Sequence, residues 1–200
     1  MKRREDFCYN PGMDVYFKKD ITYFFQGEKF TFDAGNTLFS TSEIDHGTDV
    51  LLRSIVTNNP KTILDVGCGY GPIGIILAKK NPDAQVVMVD CNLLAVRYTK
   101  QNIEKNAVRN ATVFGSVGME AVLDKTFDLI VSNIPAKIGD DAITQDFILT
   151  PYEHLNLGGE LWIVVVNALN RLIPRVGRKH ELHMKEIKKQ RGHTVYRIKR

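Results

Sequence analysis

The stretch of sequence that most constrains the fold runs from Thr62 to Gly74 and reads TILDVGCGYGPIG. An apolar run typical of a β-strand ends in an acid and then in glycines, and a helical pattern follows. Glycines adopt positive φ angles and let a ligand approach the backbone closely, because they carry no Cβ. The following helix directs unpaired N–H groups and its positive dipole end toward the turn. This stretch therefore predicts a strand, a turn that binds a nucleotide-like or anionic ligand, and a helix.

From residue 61 onward, strand-like and helix-like segments alternate. Such alternation is typical of an α/β protein with a mostly parallel sheet. The last two strands flank Gln190-Arg191-Gly192 and predict an antiparallel hairpin. The predicted strands are 62–66, 85–89, 111–115, 127–132, 160–166, 184–189 and 193–198. The predicted helices are 72–80, a helix from after Asp90 to about Lys105, 141–156 ending at Gly158-Gly159, and 168–177.

The part of the chain before the glycine turn is expected to be smaller and less regular. In order, the sequence predicts a loose polar lead-in over 1–20, a β-hairpin made of 21–25 and 29–32, and a helix capped by Thr48 or Asp49. We therefore expect an N-terminal extension over 1–44 and a main domain over 45–200.

The bulk composition fits one globular domain with an ordinary core, since 44% of the 200 residues are hydrophobic and 25% are charged. No apolar run approaches the length that crosses a membrane, and no signal peptide is expected. Cys8, Cys68 and Cys91 have no zinc spacing, so we predict no metal site. We interpret these cysteines as reduced thiols of a cytoplasmic protein.

The charge is distributed unevenly along the chain. Residues 171–200 hold eleven Lys or Arg and two acids, a net charge of +9, whereas the other 170 residues have a net charge of −5. A basic C-terminal part predicts a polyanionic partner such as RNA. A solvated, solubilising surface explains the same charges equally well.

Two acids indicate what the glycine turn binds. The spacing Gly69-x-Gly71-x-x-Gly74 fits a dinucleotide fingerprint, but Asp65 before the turn would repel a pyrophosphate. Asp90 ends the next strand, where an acid accepts hydrogen bonds from both ribose hydroxyls. Together the acids predict a nucleoside with a positively charged tail, which S-adenosylmethionine (SAM) matches. A nicotinamide-dependent oxidoreductase and a glycine turn used only for packing remain the alternatives.

The stretch from Asp65 to Gly71 resembles motif I of the class I SAM-dependent methyltransferases, and Asp90 resembles their ribose-binding acid. That resemblance implies a Rossmann-like class I methyltransferase fold and places Ser116-Val117 beside the adenine, although the family often has Asp instead of Ser116. The cofactor-binding residues it implies are Asp65, Gly67, Cys68, Gly69, Gly71, Asp90, Cys91, Asn92, Ser116, Val117, Asn133, Gly47 and Thr48.

Within the class I methyltransferases, the chain most resembles the methyltransferase small domain group. This group includes ribosomal RNA guanine-N2 methyltransferases of the RsmC and RlmG type. Four stretches carry this similarity: the N-terminal hairpin with Leu38-Phe39-Ser40, the segment 44–52, motif I, and 161–165. The resemblance implies methylation of guanine N2 in ribosomal RNA and places Gly47-Thr48 over the methionine end of the cofactor.

The fourth strand leads into Asn133-Ile134-Pro135-Ala136, where amino-methylating relatives carry Asn/Asp-Pro-Pro and an aromatic or apolar residue. A side-chain carbonyl and a backbone carbonyl there accept the two protons of an exocyclic amine and orient its lone pair. We therefore predict Asn133, Ile134 and Pro135 as catalytic residues. Loss of the first proline leaves the loop less rigid, and Ala136 offers no stacking ring.

Several roles near this loop are left open by the sequence. Phe39 or Tyr70 could replace the stacking ring, and Lys137 could pair with a substrate phosphate or be a solvated lysine. The alternative functions are methylation of a small molecule or a protein, and RNA binding without methyl transfer.

Overall fold

The computed structural model of the protein describes residues 14–36, 43–56 and 58–200. Its β-strands are β1 Phe17–Phe25, β2 Glu28–Gly35, β3 Thr62–Val66, β4 Gln85–Asp90, β5 Ala111–Gly115, β6 Phe127–Asn133, β7 Leu155–Val166, β8 His183–Gln190 and β9 His193–Lys199. Its α-helices are α1 His46–Leu52, α2 Pro72–Lys80, α3 Leu93–Lys105, α4 Asp140–Thr144, α5 Thr150–Glu153 and α6 Leu172–Lys179. A π-helical turn, Gln145–Leu149, joins α4 to α5, and 3₁₀ turns cover Glu120–Val122 and Asn167–Leu169.

Seven strands form the main sheet, in the order β5-β4-β3-β6-β7-β9-β8. The first five strands in that order are parallel, and β9 runs antiparallel to both of its neighbours. The predicted seven-stranded, mostly parallel sheet with a terminal antiparallel hairpin is therefore confirmed. The chain moves outward from β3 to β5 on one side and from β6 onward on the other. The reversal of strand order between β3 and β6 leaves a crevice at the carboxyl ends of these two strands. Open α/β sheets bind ligands in such a crevice.

The N-terminal hairpin, β1 and β2, forms a separate two-stranded antiparallel sheet whose apolar face joins the main core. Phe32 and Ala34 are completely buried there. The buried Asn102 of α3 donates to the carbonyls of Asp33, at 3.0 Å, and Tyr70, at 2.8 Å, and accepts from the Asp33 N–H. One amide thus ties the hairpin to both α3 and the glycine turn.

Four predicted boundaries are wrong. One is that of the helix predicted over 168–177, because a 3₁₀ turn covers Asn167–Leu169 and α6 begins only at Leu172. The lead-in is shorter than expected, because β1 already begins at Phe17. Helix α1 begins at His46 and is capped by neither Thr48 nor Asp49: the Asp45 carboxylate accepts from the Thr48 N–H at 3.1 Å. The predictions for 1–13 and for Leu38-Phe39-Ser40 lie outside the described residues.

The fourth wrong boundary is at Gly158-Gly159, which lies inside β7 instead of ending a helix. A Cβ at Gly159 would be 3.1 Å from the carbonyl oxygens of Phe127 and Asp128 on β6. The register between β6 and β7 shifts at this point. Gly159 is therefore needed for the close approach of two strands, and Gly158 is needed for its φ of +79°. The preceding helix ends at Glu153.

Candidate active site

A cavity of about 870 Å³ opens at the crevice between the carboxyl ends of β3 and β6. Its wall is formed by the glycine turn after β3, the end of β4, the loop after β6 and the start of α1. The π-helical turn, the loop after β5, the end of β7 with the 3₁₀ turn that follows it, and the beginning of β9 complete it. The site therefore combines segments from both halves of the sheet.

The glycine turn has the backbone geometry that only glycine adopts readily. Gly67, Gly69 and Gly71 have φ angles of +72°, +59° and +94°. The Gly67 N–H donates to the carbonyl of Val89 on β4 at 2.9 Å, and Thr99 of α3 donates its hydroxyl to the Gly69 carbonyl at 2.7 Å. These bonds fix the turn against its neighbours before any ligand binds.

Asp90 is held from both sides by backbone N–H groups. Its Oδ2 accepts from Gly69 at 2.8 Å, and its Oδ1 accepts from Asn92 at 2.8 Å. A carboxylate oxygen can accept two hydrogen bonds, so each oxygen keeps one acceptor position. Because Asp90 lies in the cavity wall, an oriented carboxylate is available to a pair of hydroxyl groups.

Asp65 lies beneath the turn and not in the cavity wall. Its side chain is completely buried, and its Oδ2 accepts from the Gly74 N–H of α2 at 2.8 Å. Its Oδ1 has no hydrogen-bond partner among the described residues. Burial raises the pKa of Asp65 to about 7; the Gly74 N–H opposes this shift and the negative charge of Asp90 adds to it.

Asn133, the last residue of β6, has a fixed side-chain orientation. Its Nδ2 donates to Asp45 Oδ2 at 2.7 Å and to Thr48 Oγ1 at 3.1 Å. A carboxylate only accepts hydrogen bonds, so the amide nitrogen must face Asp45. Both amide protons are therefore used, and the carbonyl oxygen Oδ1 is the atom left to accept from a bound molecule.

The sequence did not indicate Asp45 as a site residue, because the helix cap was predicted at Thr48 or Asp49. An acid directly before a predicted helix is a typical N-cap and was the available signal. Its contact with Asn133, 88 residues away, leaves no mark in the local sequence.

The π-helical turn carries a second residue that was missed, Phe147, which lies in the cavity wall. A Cβ on Gly67 would be 3.4 Å from Cε1 of this ring. The predicted helix over 141–156 gave no indication of the π turn, and such turns are frequent at functional sites.

The predicted site residues divide into two groups. Those in the cavity wall are Gly67, Cys68, Gly69, Asp90, Cys91, Ser116, Thr48, Asn133, Ile134 and Pro135. Those outside it are Asp65, Gly71, Asn92, Val117 and Gly47.

Most of the second group support the wall from behind. Asn92 caps α3 by accepting from Leu94 at 2.9 Å, and Gly71 caps α2. The ring of His193 packs directly on Gly47, where a Cβ would be 2.9 Å from His193 Cδ2. Val117 is 59% exposed.

The remaining candidates near the loop differ in accessibility. Lys137 is exposed and belongs to the wall. Tyr70 also belongs to the wall, but its ring is only 4% exposed and makes an edge contact with Phe32. Within the described ranges, no group of three His, Cys, Asp or Glu side chains could hold a metal ion, and no helix is long and apolar enough to cross a membrane.

Comparison with known proteins gives consistent matches. The family model of the methyltransferase small domain matches residues 29–197. The uncharacterized protein YbxB of Bacillus subtilis is 36% identical over 152 residues, 74% of each chain. The ribosomal RNA small subunit methyltransferase C of Haemophilus influenzae is 32% identical over 166 residues, which are 81% of this chain and 49% of that protein.

Among solved structures, the T. thermophilus 16S rRNA N2 G1207 methyltransferase (RsmC), in complex with AdoMet and guanosine, matches with a TM-score of 0.81 and 24% identity. The match covers 95% of this chain and 52% of that chain. The chain thus spans about half the length of these named methyltransferases, and the predicted class I methyltransferase fold is confirmed.

The family model covers far more than half of the chain. The prediction of a methyltransferase that uses SAM is confirmed at the level of the family. On this evidence, the chain belongs to the methyltransferase small domain family.

Proposed function

We propose that this protein transfers the methyl group of SAM to an exocyclic amine of an RNA base, and specifically to N2 of guanine in ribosomal RNA. The orientation of Asn133 carries the proposal, because its carbonyl oxygen is the atom left to accept a hydrogen bond from an amine. The names of the H. influenzae relative and the T. thermophilus structural match support ribosomal RNA as the substrate.

The cavity residues fit SAM. The two free acceptor positions of Asp90 suit the two ribose hydroxyls, and Ser116 lies in the wall where the adenine is expected. The glycine turn permits close approach of the backbone. The unpartnered Oδ1 of Asp65 beneath the turn, outside the cavity wall, suits a buried water. When bound, SAM supplies an electrophilic methyl group on a sulfonium.

The loop after β6 positions the substrate amine. An exocyclic amine conjugated to a base is a poor nucleophile, so orientation of its lone pair provides much of the rate. Asn133 Oδ1 accepts a hydrogen bond from one N–H of the amine, and the Ile134 carbonyl accepts a hydrogen bond from the other. The Ile134 N–H donates to the Val164 carbonyl of β7 at 3.0 Å, and the Ile134 side chain is 3% exposed. This anchoring replaces the rigidity that the first proline provides in relatives.

Neither Tyr70 nor Ala136 offers the substrate base a ring on which it could stack. Tyr70 is held in the core against Phe32 and has little ring surface to offer. Ala136 is exposed and has no ring, and Phe39 lies outside the described residues. We therefore assign catalysis to hydrogen-bond acceptance and orientation of the amine at Asn133 and Ile134, with Pro135 fixing the loop.

The partner we propose is RNA, guided by the basic residues 171–200. A cytoplasmic location fits that partner. The division of the chain at residue 44 stays a prediction, as does the role assigned to each site residue.

A methyl-transfer assay tests the proposal. The protein is incubated with methyl-labelled SAM and unmodified ribosomal RNA, naked and assembled in subunits, and the RNA is digested to nucleosides. Label in N2-methylguanosine is the expected result, and the Asn133→Ala variant in the same reaction should give none. Label in another nucleoside would keep the RNA class and refute guanine N2. No label, with SAM binding confirmed by calorimetry, would refute RNA as the substrate.

A further inference from the structure

Three basic side chains from two distant segments meet at the edge of the cavity, and we call His46, Arg191 and His193 the rim cluster. Arg191 Nη1 is 2.9 Å from His46 Nε2, although the two residues are 145 positions apart. The rings of His46 and His193 have centroids 6.4 Å apart. His193 itself lies in the cavity wall that also contains Asn133. The cluster therefore borders the site where the substrate amine is expected.

The turn between β8 and β9 holds Arg191 in an unusual backbone conformation. Arg191 has a φ of +46° and is followed by Gly192 at +82°. Two successive positive φ angles are typical of hairpin turns that favour Asn or Gly at the first position. An arginine at this position is therefore not explained by turn preference. The Asn167 N–H donates to the Gly192 carbonyl at 2.9 Å, which fixes the turn against the end of β7.

The guanidinium of Arg191 keeps most of its hydrogen-bonding capacity. A guanidinium only donates, so His46 Nε2 accepts, and the other four Arg191 N–H groups have no acceptor among the residues that the structure describes. No carboxylate within the described part of the chain forms an ion pair with Arg191. Asp45, the wall carboxylate beside Gly47, already accepts from the Thr48 N–H and Asn133 through its Oδ2. Arg191 is exposed, so its free donors can reach a ligand.

We propose that the rim cluster binds a backbone phosphate of the RNA strand beside the target nucleotide, with Arg191 as the main contact. A planar guanidinium recognises phosphate oxygens with two parallel hydrogen bonds. His46 fixes the position of the guanidinium by accepting a hydrogen bond from one of the guanidinium N–H groups. Lys137, on the opposite loop, adds a positive charge to the same cavity. This inference rests on the proposed function, since it assigns a contact to the same RNA substrate.

Equilibrium binding of the full chain to unmodified ribosomal RNA, measured at several salt concentrations, tests the proposal. Loss of one phosphate contact reduces the slope of log K against log salt by about 1. We expect this reduction for Arg191→Ala, together with a KM for RNA raised about 3- to 10-fold and an unchanged Kd for SAM. Arg191→Lys should restore the slope, because it keeps the charge, but should leave the KM raised, because it loses the two parallel hydrogen bonds.

Arg109→Ala is the matched control, because Arg109 is an exposed arginine just before β5, at the amino-terminal edge of the sheet opposite the cavity. An unchanged slope and KM for Arg191→Ala would overturn the proposal. An equal reduction for Arg109→Ala would overturn it too, since the effect would then be one of net charge. Absence of methyl transfer by the wild-type protein would refute the proposed function instead, while the binding slope would still report on the rim cluster.

Discussion

Replacing Asp45 by asparagine separates the orientation of Asn133 from the capping of α1. Asparagine caps a helix about as well as aspartate, so the start of α1 should persist. Its amide nitrogen, however, can donate to Asn133 Oδ1 and stabilise the flipped side chain. The flipped side chain presents N–H groups to the substrate amine instead of an acceptor. The 2.7 Å bond to Asp45 is charge-assisted, and such bonds contribute about 1.5–3 kcal/mol. This free energy corresponds to a fall in kcat of about 10- to 150-fold.

The assay is steady-state methyl transfer to ribosomal RNA, with the Kd for SAM measured by calorimetry and stability by thermal unfolding. Asp128→Asn is the matched control, because this carboxylate accepts from Asn156 Nδ2 at 2.8 Å and from the N–H groups of Lys61 and Thr62 at the opposite edge of the sheet. The control should lose stability without losing kcat. A kcat for Asp45→Asn within twofold of wild type would refute the assignment of Asp45 as a positioning residue.

Four further predictions follow from the same geometry. Asp90→Ala should raise the Kd for SAM by at least about 10-fold through the loss of charge-assisted ribose contacts; an unchanged Kd by calorimetry would remove Asp90 from the site. Asn133→Ala should abolish transfer and keep SAM affinity within a few-fold, so that retained turnover would contradict its catalytic role. Because the pKa of Asp65 is raised from 3.8 to about 7, the folded protein loses stability as the pH rises between these values, and Asp65→Asn should become more stable relative to wild type over that window. Urea unfolding of the cofactor-free proteins at pH 5 to 8 measures the difference, and a difference that does not change with pH would contradict the assignment. Gly74→Ala would place a Cβ against Met88 Sδ and should destabilise the protein by about 1–3 kcal/mol; an unchanged Tm would show that the packing relaxes freely.

The local sequence determined the fold class and the cofactor half of the site. The glycine turn after β3 and the acid at the end of β4 are short-range patterns, and both lie within one strand–turn–helix–strand unit of the chain. Asp90 is held by Gly69 and Asn92, whose positions follow from the strand–turn–helix pattern alone. The alternation of strands and helices likewise reports local periodicity and burial, so the parallel sheet and its closing hairpin were predictable.

Only the tertiary structure decided which distant residues complete the substrate half. Asp45 reaches Asn133, and Arg191 reaches His46, because the order of strands in the sheet brings α1, the end of β6 and the β8–β9 turn to one edge. The same folding places Asp65 beneath the turn, where the sequence could indicate its position in the motif but not its burial. Contacts over 88 and 145 residues depend on strand order and packing, and neither leaves a periodic pattern in the chain.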